Sequence, residues 1–159
     1  MQICINAVPT HYVKHKKEII MKKEELIKGL NEDLAAELGT VIRYNYQAGK
    51  SFGVIGIELR EMFEEEIKDE LGHASFLTDI IIDLGGEPTT TPKEFEKPDA
   101  IKEMLELNIK MELEDVENYK KHAEWAEQLD MIELKMKLED MAADEAGHAR
   151  EMRRIVKGL

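Results

Sequence analysis

The strongest constraint on the fold is an internal repeat in which one short acidic motif occurs twice. Residues 69–74 read DELGHA and residues 144–149 read DEAGHA, so that His73 and His148 lie 75 positions apart. A true duplication should show further matches at the same offset. The matching pairs are Glu37 and Glu112, Leu38 and Leu113, Val41 and Val116, Tyr44 and Tyr119, and Ala48 and Ala123. Each half of the chain therefore contains a lone glutamate that is followed, 33 residues later, by a Glu-x-x-His motif.

Apolar residues recur every three or four positions through most of the chain, which is typical of amphipathic helices. The pattern predicts one helix over residues 22–52 and a second that follows Gly53 and Gly56 and ends near Leu84. Residues 85–98 contain two glycines and three prolines and must form a connection. Two more helices are expected after it, with a bend at residues 128–130 between them. No segment alternates in the manner of a strand.

The spacing of the glutamates predicts how the four helices are arranged. The midpoint between each lone glutamate and its Glu-x-x-His motif falls at one of the two expected bends, so both glutamates of a hairpin lie at one level. The 14-residue connection can extend about 46 Å, enough to run beside a 30-residue helix of about 45 Å. We therefore predict an all-α fold, a four-helix bundle of two antiparallel helical hairpins joined by a long crossover. We expect the second hairpin to lie beside the first in the same orientation.

This arrangement brings four carboxylates and two imidazoles together in the interior of the bundle. Buried charges need counter-charges or metal ions, and two divalent cations would supply them. Carboxylates with one imidazole per ion suit iron or manganese, whereas the absence of thiolates argues against structural zinc. The predicted ligands are Glu37 and His73 for one ion, Glu112 and His148 for the other, and Glu70 and Glu145 as bridges between them.

An acidic residue precedes the second glutamate of each half. Asp69 and Asp144 lie about 100° around the helix from those glutamates. We expect each to accept a hydrogen bond from the histidine of the opposite hairpin, through the ring nitrogen that does not face the metal. Replacing Asp144 by Asn should therefore weaken metal binding without removing a ligand.

The overall composition narrows the class of protein and its location. A formal charge of −12 argues against general nucleic-acid affinity and favours the attraction of cations. No apolar run approaches the roughly 18 residues of a membrane span, and no secretory signal is evident, so we expect a cytoplasmic protein. We expect residues 1–21 to be an N-terminal extension, either disordered or produced by an upstream start site, and residues 22–159 to form the bundle.

The six predicted ligands resemble the di-iron site of the ferritin-like superfamily, and most closely that of bacterioferritin and Dps-like ferritins. The resemblance covers about residues 23–157. It implies two iron ions per chain, a ferroxidase activity in which Fe(II) is oxidised by oxygen or hydrogen peroxide, iron storage, and a homo-oligomer. Tyr44, seven positions after Glu37, matches a tyrosine beside the metals of that family. The resemblance implies a catalytic role for Tyr44 as an electron donor. Tyr119, the matching residue of the second half, is expected to be a core residue.

Three differences from these families define the alternatives. Leu71 stands where bacterioferritins carry a haem-binding methionine, so we predict no haem. We expect no fifth helix after Leu159, which would favour a smaller cage or only a dimer over the large cage. Asp115 stands where rubrerythrins have an extra carboxylate, so a di-iron peroxidase that protects against oxidative stress is the alternative function. A metal-free helical interaction module is a further alternative.

Overall fold

The structure, a computed structural model, describes the backbone of residues 10–159 and the side chains from residue 19 onward. Within this range the chain forms four long helices and no strand, which confirms the all-α prediction. They are α1 (Thr10–Lys50), α2 (Gly53–Asp83), α3 (Ile101–Gln128) and α4 (Ile132–Gly158). Helix α1 begins well before the expected residue 22 and includes part of the predicted extension. The domain boundary at residue 21 stays a prediction, and residues 1–9 lie outside the described part.

Two helices end through backbone turns that satisfy their last carbonyl groups. At the end of α2, Gly85 adopts a φ of 80° and the N–H of Gly86 bonds to the carbonyl of Ile81 at 2.8 Å. Helix α3 ends in the same way at Asp130, which has a φ of 59°. This pattern closes a helix with one left-handed residue, usually glycine. The turns after α2 and α3 are therefore fixed by the backbone alone.

The core of the bundle consists of two apolar clusters that lie on either side of the glutamate level. Helix α1 packs on α2, α3 packs on α4, and α1 also contacts α3. One cluster includes Leu30, Leu77 and Leu138, and the other includes Phe63 and Leu105. No helix within residues 10–159 is long and apolar enough to cross a membrane.

The crossover runs along α1 in the same direction as that helix. The N–H of Lys93 donates to the carbonyl of Ala35 at 2.7 Å, and at the far end Lys50 pairs with Asp99. Helix α3 therefore starts at the end of the bundle where the first hairpin turns. The expected common orientation of the hairpins was wrong, because a connection that spans the whole bundle reverses the direction of the hairpin that follows.

Helices α1 and α3 are antiparallel, and buried polar pairs fix their register. The amides of Gln47 and Asn108 exchange two hydrogen bonds, at 3.0 and 2.6 Å. Asp33 lies 2.6 Å from Nδ1 of His122, and both side chains are only 2% exposed. Asp33 and Asn108 are equivalent positions of the repeat, as are Gln47 and His122. The two halves are therefore related by an approximate two-fold axis, about which the contacts are reciprocal.

Candidate metal centre

Four glutamates and two histidines converge between the two apolar clusters. Each is at most 9% exposed. Their side chains form two groups of four, and within each group one possible ligand atom per residue lies within 4.8 Å of the others. The groups are Glu37, Glu70, His73 and Glu145, and Glu70, Glu112, Glu145 and His148. The two groups share Glu70 and Glu145, which is the arrangement predicted for two ions with two bridging carboxylates. That these residues bind metal stays a prediction.

The histidines point their Nδ1 atoms into this cluster. A spacing of three residues places each histidine on the same helix face as the glutamate before it. Nδ1 of His73 lies 2.9 Å from Glu145 Oε1 and 3.6 Å from Glu37 Oε1. Nδ1 of His148 lies 3.1 Å from Glu145 Oε2 and 3.5 Å from Glu70 Oε1. Both rings therefore present a nitrogen to the carboxylates of both hairpins.

Several buried atoms of the cluster lack a hydrogen-bond partner among the described residues. They include Glu70 Oε1, Glu145 Oε1 and His73 Nδ1. The last two lie 2.9 Å apart without the alignment of a hydrogen bond. Buried polar atoms are normally satisfied, and leaving them unpaired costs free energy. A cation bound between these atoms would satisfy them, so this set of donors fits a metal ion.

Burial and mutual repulsion shift the pKa values of these groups. Burial, with the charges of nearby carboxylates, raises the pKa of Glu37 and of Glu112 well above the usual range. Burial lowers the pKa of His73, but the carboxylates of Glu145, Glu37 and Glu70, which surround its Nδ1, outweigh this effect and raise the pKa to about 12. The pKa of His148 is also raised, because the carboxylates of Glu145, Glu66 and Glu70 outweigh the effect of burial. The metal-free centre therefore holds protons that a cation would displace.

Two tyrosines bond to the cluster in reciprocal fashion. The hydroxyl of Tyr44 donates to Oε1 of Glu112, and the hydroxyl of Tyr119 donates to Oε1 of Glu37. Both rings are buried. Tyr44 thus lies beside the centre, as the resemblance implied, although its electron-donor role stays a prediction. Tyr119 was not predicted to contact the centre, although its pairing with Tyr44 in the repeat is a sequence signal for that position.

The outer ring nitrogens of the histidines face further carboxylates. Nε2 of His73 lies 3.4 Å from Oδ2 of Asp144, where the sequence placed it. Nε2 of His148 lies 3.9 Å from Asp69 but 2.6 Å from Oε2 of Glu66. Sequence reasoning missed Glu66, although it lies one turn before the Glu-x-x-His motif on the same face of α2.

A buried arginine was also missed. The side chain of Arg43 is fully buried, and its Nη2 donates to Oε1 of Glu112 at 2.9 Å. Its Nη1 lies 2.9 Å from the sulfur of Met111, and the guanidinium lies 5.0 Å from the ring centroid of Tyr44. The only sequence signal was its position on the inward face of α1, next to Tyr44.

Asp115 is buried but does not belong to either ligand group. It is 7% exposed, and its Oδ1 has no hydrogen-bond partner in the part of the chain that the structure describes. Burial raises its pKa to about 7. Since Asp115 lies apart from the clustered ligand atoms, the feature that favoured a rubrerythrin-like peroxidase loses its support.

The fold and the cluster place the chain among the four-helix-bundle proteins that have a buried carboxylate–histidine centre. Comparison with known families gives a match over residues 27–159 to the ferritin-like domain. A bacterioferritin of Brucella melitensis is 32% identical over 134 residues, which are 80% of this chain and 81% of that protein. The chain belongs to the ferritin-like family.

Solved structures agree with this assignment. A ferritin-like, diiron-carboxylate protein of Bacillus anthracis superposes with a TM-score of 0.83 and 44% identity, over 85% of this chain and 97% of that one. A Desulfovibrio desulfuricans bacterioferritin gives a TM-score of 0.76 with 24% identity, over 86% and 80% of the two chains. A Dps protein of Bacillus brevis gives 0.80 with 19% identity, over 86% and 97%. The last two likenesses show the fold alone.

Proposed function

We propose that this protein is a ferroxidase that oxidises Fe(II) with oxygen or hydrogen peroxide and stores the product. The observation that carries the proposal is the pair of four-residue groups that share Glu70 and Glu145. Family membership supports iron oxidation and storage in general, and the 44% identical relative is described as a diiron-carboxylate protein. Iron is the substrate in this scheme, and two ferrous ions held side by side can each supply an electron to the same oxidant.

The side chains of the centre have distinct tasks in this reaction. Glu37 with His73, and Glu112 with His148, would each hold one ion, and Glu70 and Glu145 would hold both. The apolar clusters on either side exclude water along the bundle axis, which strengthens the attraction between carboxylates and cations.

Protons must leave as the ions arrive. The raised pKa values of the histidines and of Glu37 and Glu112 mean that these groups carry protons before loading. Asp144 and Glu66 keep the imidazoles oriented through their outer nitrogens while the inner nitrogens are freed for the cation. Tyr44 lies in hydrogen-bond contact with Glu112, close enough to the centre to supply an electron.

The proposal includes a homo-oligomer, either a small cage, which would provide the enclosed space that storage requires, or a dimer. The net charge of −12 suits the attraction of ferrous ions to such an assembly. The proposal also includes a cytoplasmic location. It includes no haem, because Leu71 lacks the thioether of a haem-binding methionine.

A ferrous titration of the metal-free protein under air tests this function. We expect rapid oxidation, followed by a count of soluble ferric ions that climbs far beyond about two per chain. A count that stops at about two would support a catalytic centre and contradict storage. Oxidation no faster than in buffer alone would contradict both.

A pair of variants assigns the activity to the centre. Glu70→Gln removes a bridging charge and should abolish most of the rapid phase. Glu64→Gln, at an exposed position on the same helix, makes the same chemical change outside the cluster and should leave the rate unaltered. Equal rates in the two variants would place the oxidation elsewhere.

A further inference from the structure

We propose that Arg43 makes the two halves of the metal centre unequal, because it bonds directly to the ligand carboxylate of one half only. A divalent cation would then bind first and more tightly beside Glu37 and His73. The second would bind more weakly beside Glu112 and His148. This inference rests on the proposed function and adds to it an order of loading.

The first support is the contact itself. Arg43 is fully buried, and Nη2 donates to Oε1 of Glu112 at 2.9 Å, while Glu112 is 1% exposed. Charges interact strongly in such surroundings, since water does not screen them. A fixed positive charge beside one ligand repels the cation that this ligand binds.

The second support is the break in symmetry. The six ligands, the two tyrosines and the pair Asp69 and Asp144 are matched by the repeat, but the counterpart of Arg43 is Asn118, which is uncharged. The buried Asp115, whose counterpart is Thr40, is also unmatched, but it belongs to neither ligand group. Glu66 also lacks an acidic counterpart, since Met141 occupies the equivalent position. Glu66, however, contacts the outer nitrogen of His148, so the imidazole ring separates it from the ligand atoms. Arg43, by contrast, contacts the carboxylate of Glu112 directly.

The third support is the number of carboxylate oxygens left for the metal. Oε1 of Glu112 accepts hydrogen bonds from both Arg43 and Tyr44. Oε1 of Glu37 accepts one from Tyr119. One oxygen of Glu112 therefore already accepts two hydrogen bonds, and mainly the other oxygen is left for a cation. The half that contains Glu112 is the weaker one by this argument as well.

Cobalt(II) binding to the metal-free full-length protein tests the inference, with affinities measured by isothermal titration and by visible absorption. The wild type should show two sites per chain with separated affinities. Arg43→Gln should strengthen the weaker site by about tenfold or more, as expected from the loss of one buried charge. Arg43→Lys, which keeps the charge, should preserve the separation. Arg154→Gln removes one positive charge from a side chain that is 73% exposed and should change neither affinity.

Single-site backgrounds identify the half that responds. In a His73→Ala background the remaining intact half contains Glu112, and adding Arg43→Gln should raise its affinity. In a His148→Ala background the same substitution should have little effect. Equal gains in both backgrounds, or none in either, would overturn the inference while leaving metal binding and the proposed function intact.

One comparison remains informative even if Arg43→Gln does not fold. With Arg43 in place, the His148→Ala protein should bind cobalt(II) more tightly than the His73→Ala protein. The reverse order would overturn the inference. Absence of cobalt(II) binding in the wild type would overturn the proposed function together with it, so the two failures are distinguishable.

Discussion

At the scale of single residues, His148 contacts a carboxylate that has no acidic counterpart in the other half of the repeat. Its Nδ1 faces the carboxylates, and its Nε2 lies 2.6 Å from Glu66. A histidine that binds metal through one nitrogen usually has the other held by a carboxylate, which fixes the ring and its tautomer. Glu66 is the carboxylate nearest to this nitrogen of His148, at ion-pair distance but without the alignment of a hydrogen bond. Asp144 lies in the same position for His73.

Replacing Glu66 by Gln should therefore weaken metal binding at His148 by about 10-fold or more, the usual effect of losing such a partner. Asp69→Asn provides the control, because Asp69 lies 3.9 Å from the same nitrogen and its side chain is 67% exposed. We expect less than about a threefold change in that variant. Cobalt(II) titration measures both, and equal losses would contradict the assignment of Glu66.

The repeat explains which site residues the sequence could reveal. Glu37, Glu112 and the two Glu-x-x-His motifs come in matched pairs, so an offset of 75 identifies them. Arg43 and Glu66 have no counterpart of like charge and left no such signal. Periodicity can place a charged residue on an inward face, but it does not show which neighbour compensates the charge.

At the scale of the helices and their connections, the crossover depends on a close approach to α1. A Cβ atom added at Gly39 would lie 2.6 Å from the carbonyl oxygen of Lys93, which belongs to the crossover backbone. The N–H of Lys93 also donates a hydrogen bond to the carbonyl of Ala35. A side chain at Gly39 would therefore push the crossover away from the helix and strain this bond.

We predict that Gly39→Ala lowers the free energy of unfolding by about 1–3 kcal/mol, the usual cost of forcing extra atoms into a packed contact. Gly49→Ala lies on the same helix and would meet no atom within 4 Å. It should be neutral or stabilising by up to about 1 kcal/mol, since alanine favours helix. Denaturant unfolding of the metal-free proteins measures both. A Gly39→Ala protein as stable as the wild type would show that the crossover is not held at this point.

The helices and their turns were largely predictable, because apolar spacing and the clusters of glycine and proline mark them. The direction of the second hairpin was not. Residues 85–98 are long enough to span the bundle, and from this length we expected the second hairpin to have the same orientation as the first. The contacts from the crossover to α1, such as the one between Lys93 and Ala35, show the opposite. Such pairings join residues 49 or more positions apart, and local patterns carry no information about them.

At the scale of the whole molecule, metal loading is coupled to protons. The pKa of His73 is raised to about 12 without metal, and those of His148, Glu37 and Glu112 are also raised. These groups hold protons near neutral pH and must release them to bind a cation. Higher pH favours the deprotonated ligands, so affinity should rise with pH.

The prediction is an increase in cobalt(II) affinity of at least about tenfold per pH unit between about pH 6 and pH 8, one factor of ten for each proton released. Titration in buffers of different ionisation enthalpy counts these protons directly. A pH-independent affinity with no proton release would contradict the raised pKa values.

The reciprocal contacts between the hairpins also bear on how such a chain originates. Tyr44 bonds to Glu112 as Tyr119 bonds to Glu37, and the polar pairs between α1 and α3 repeat the same exchange. Two identical helical hairpins would make these isologous contacts if they associated as a homodimer. Each hairpin alone carries half of the ligands, so an unlinked precursor would assemble its centre only on dimerisation. Gene fusion through the crossover would make that assembly independent of concentration. It would also allow the two halves to diverge, so that a single arginine is present in one half and absent from the other.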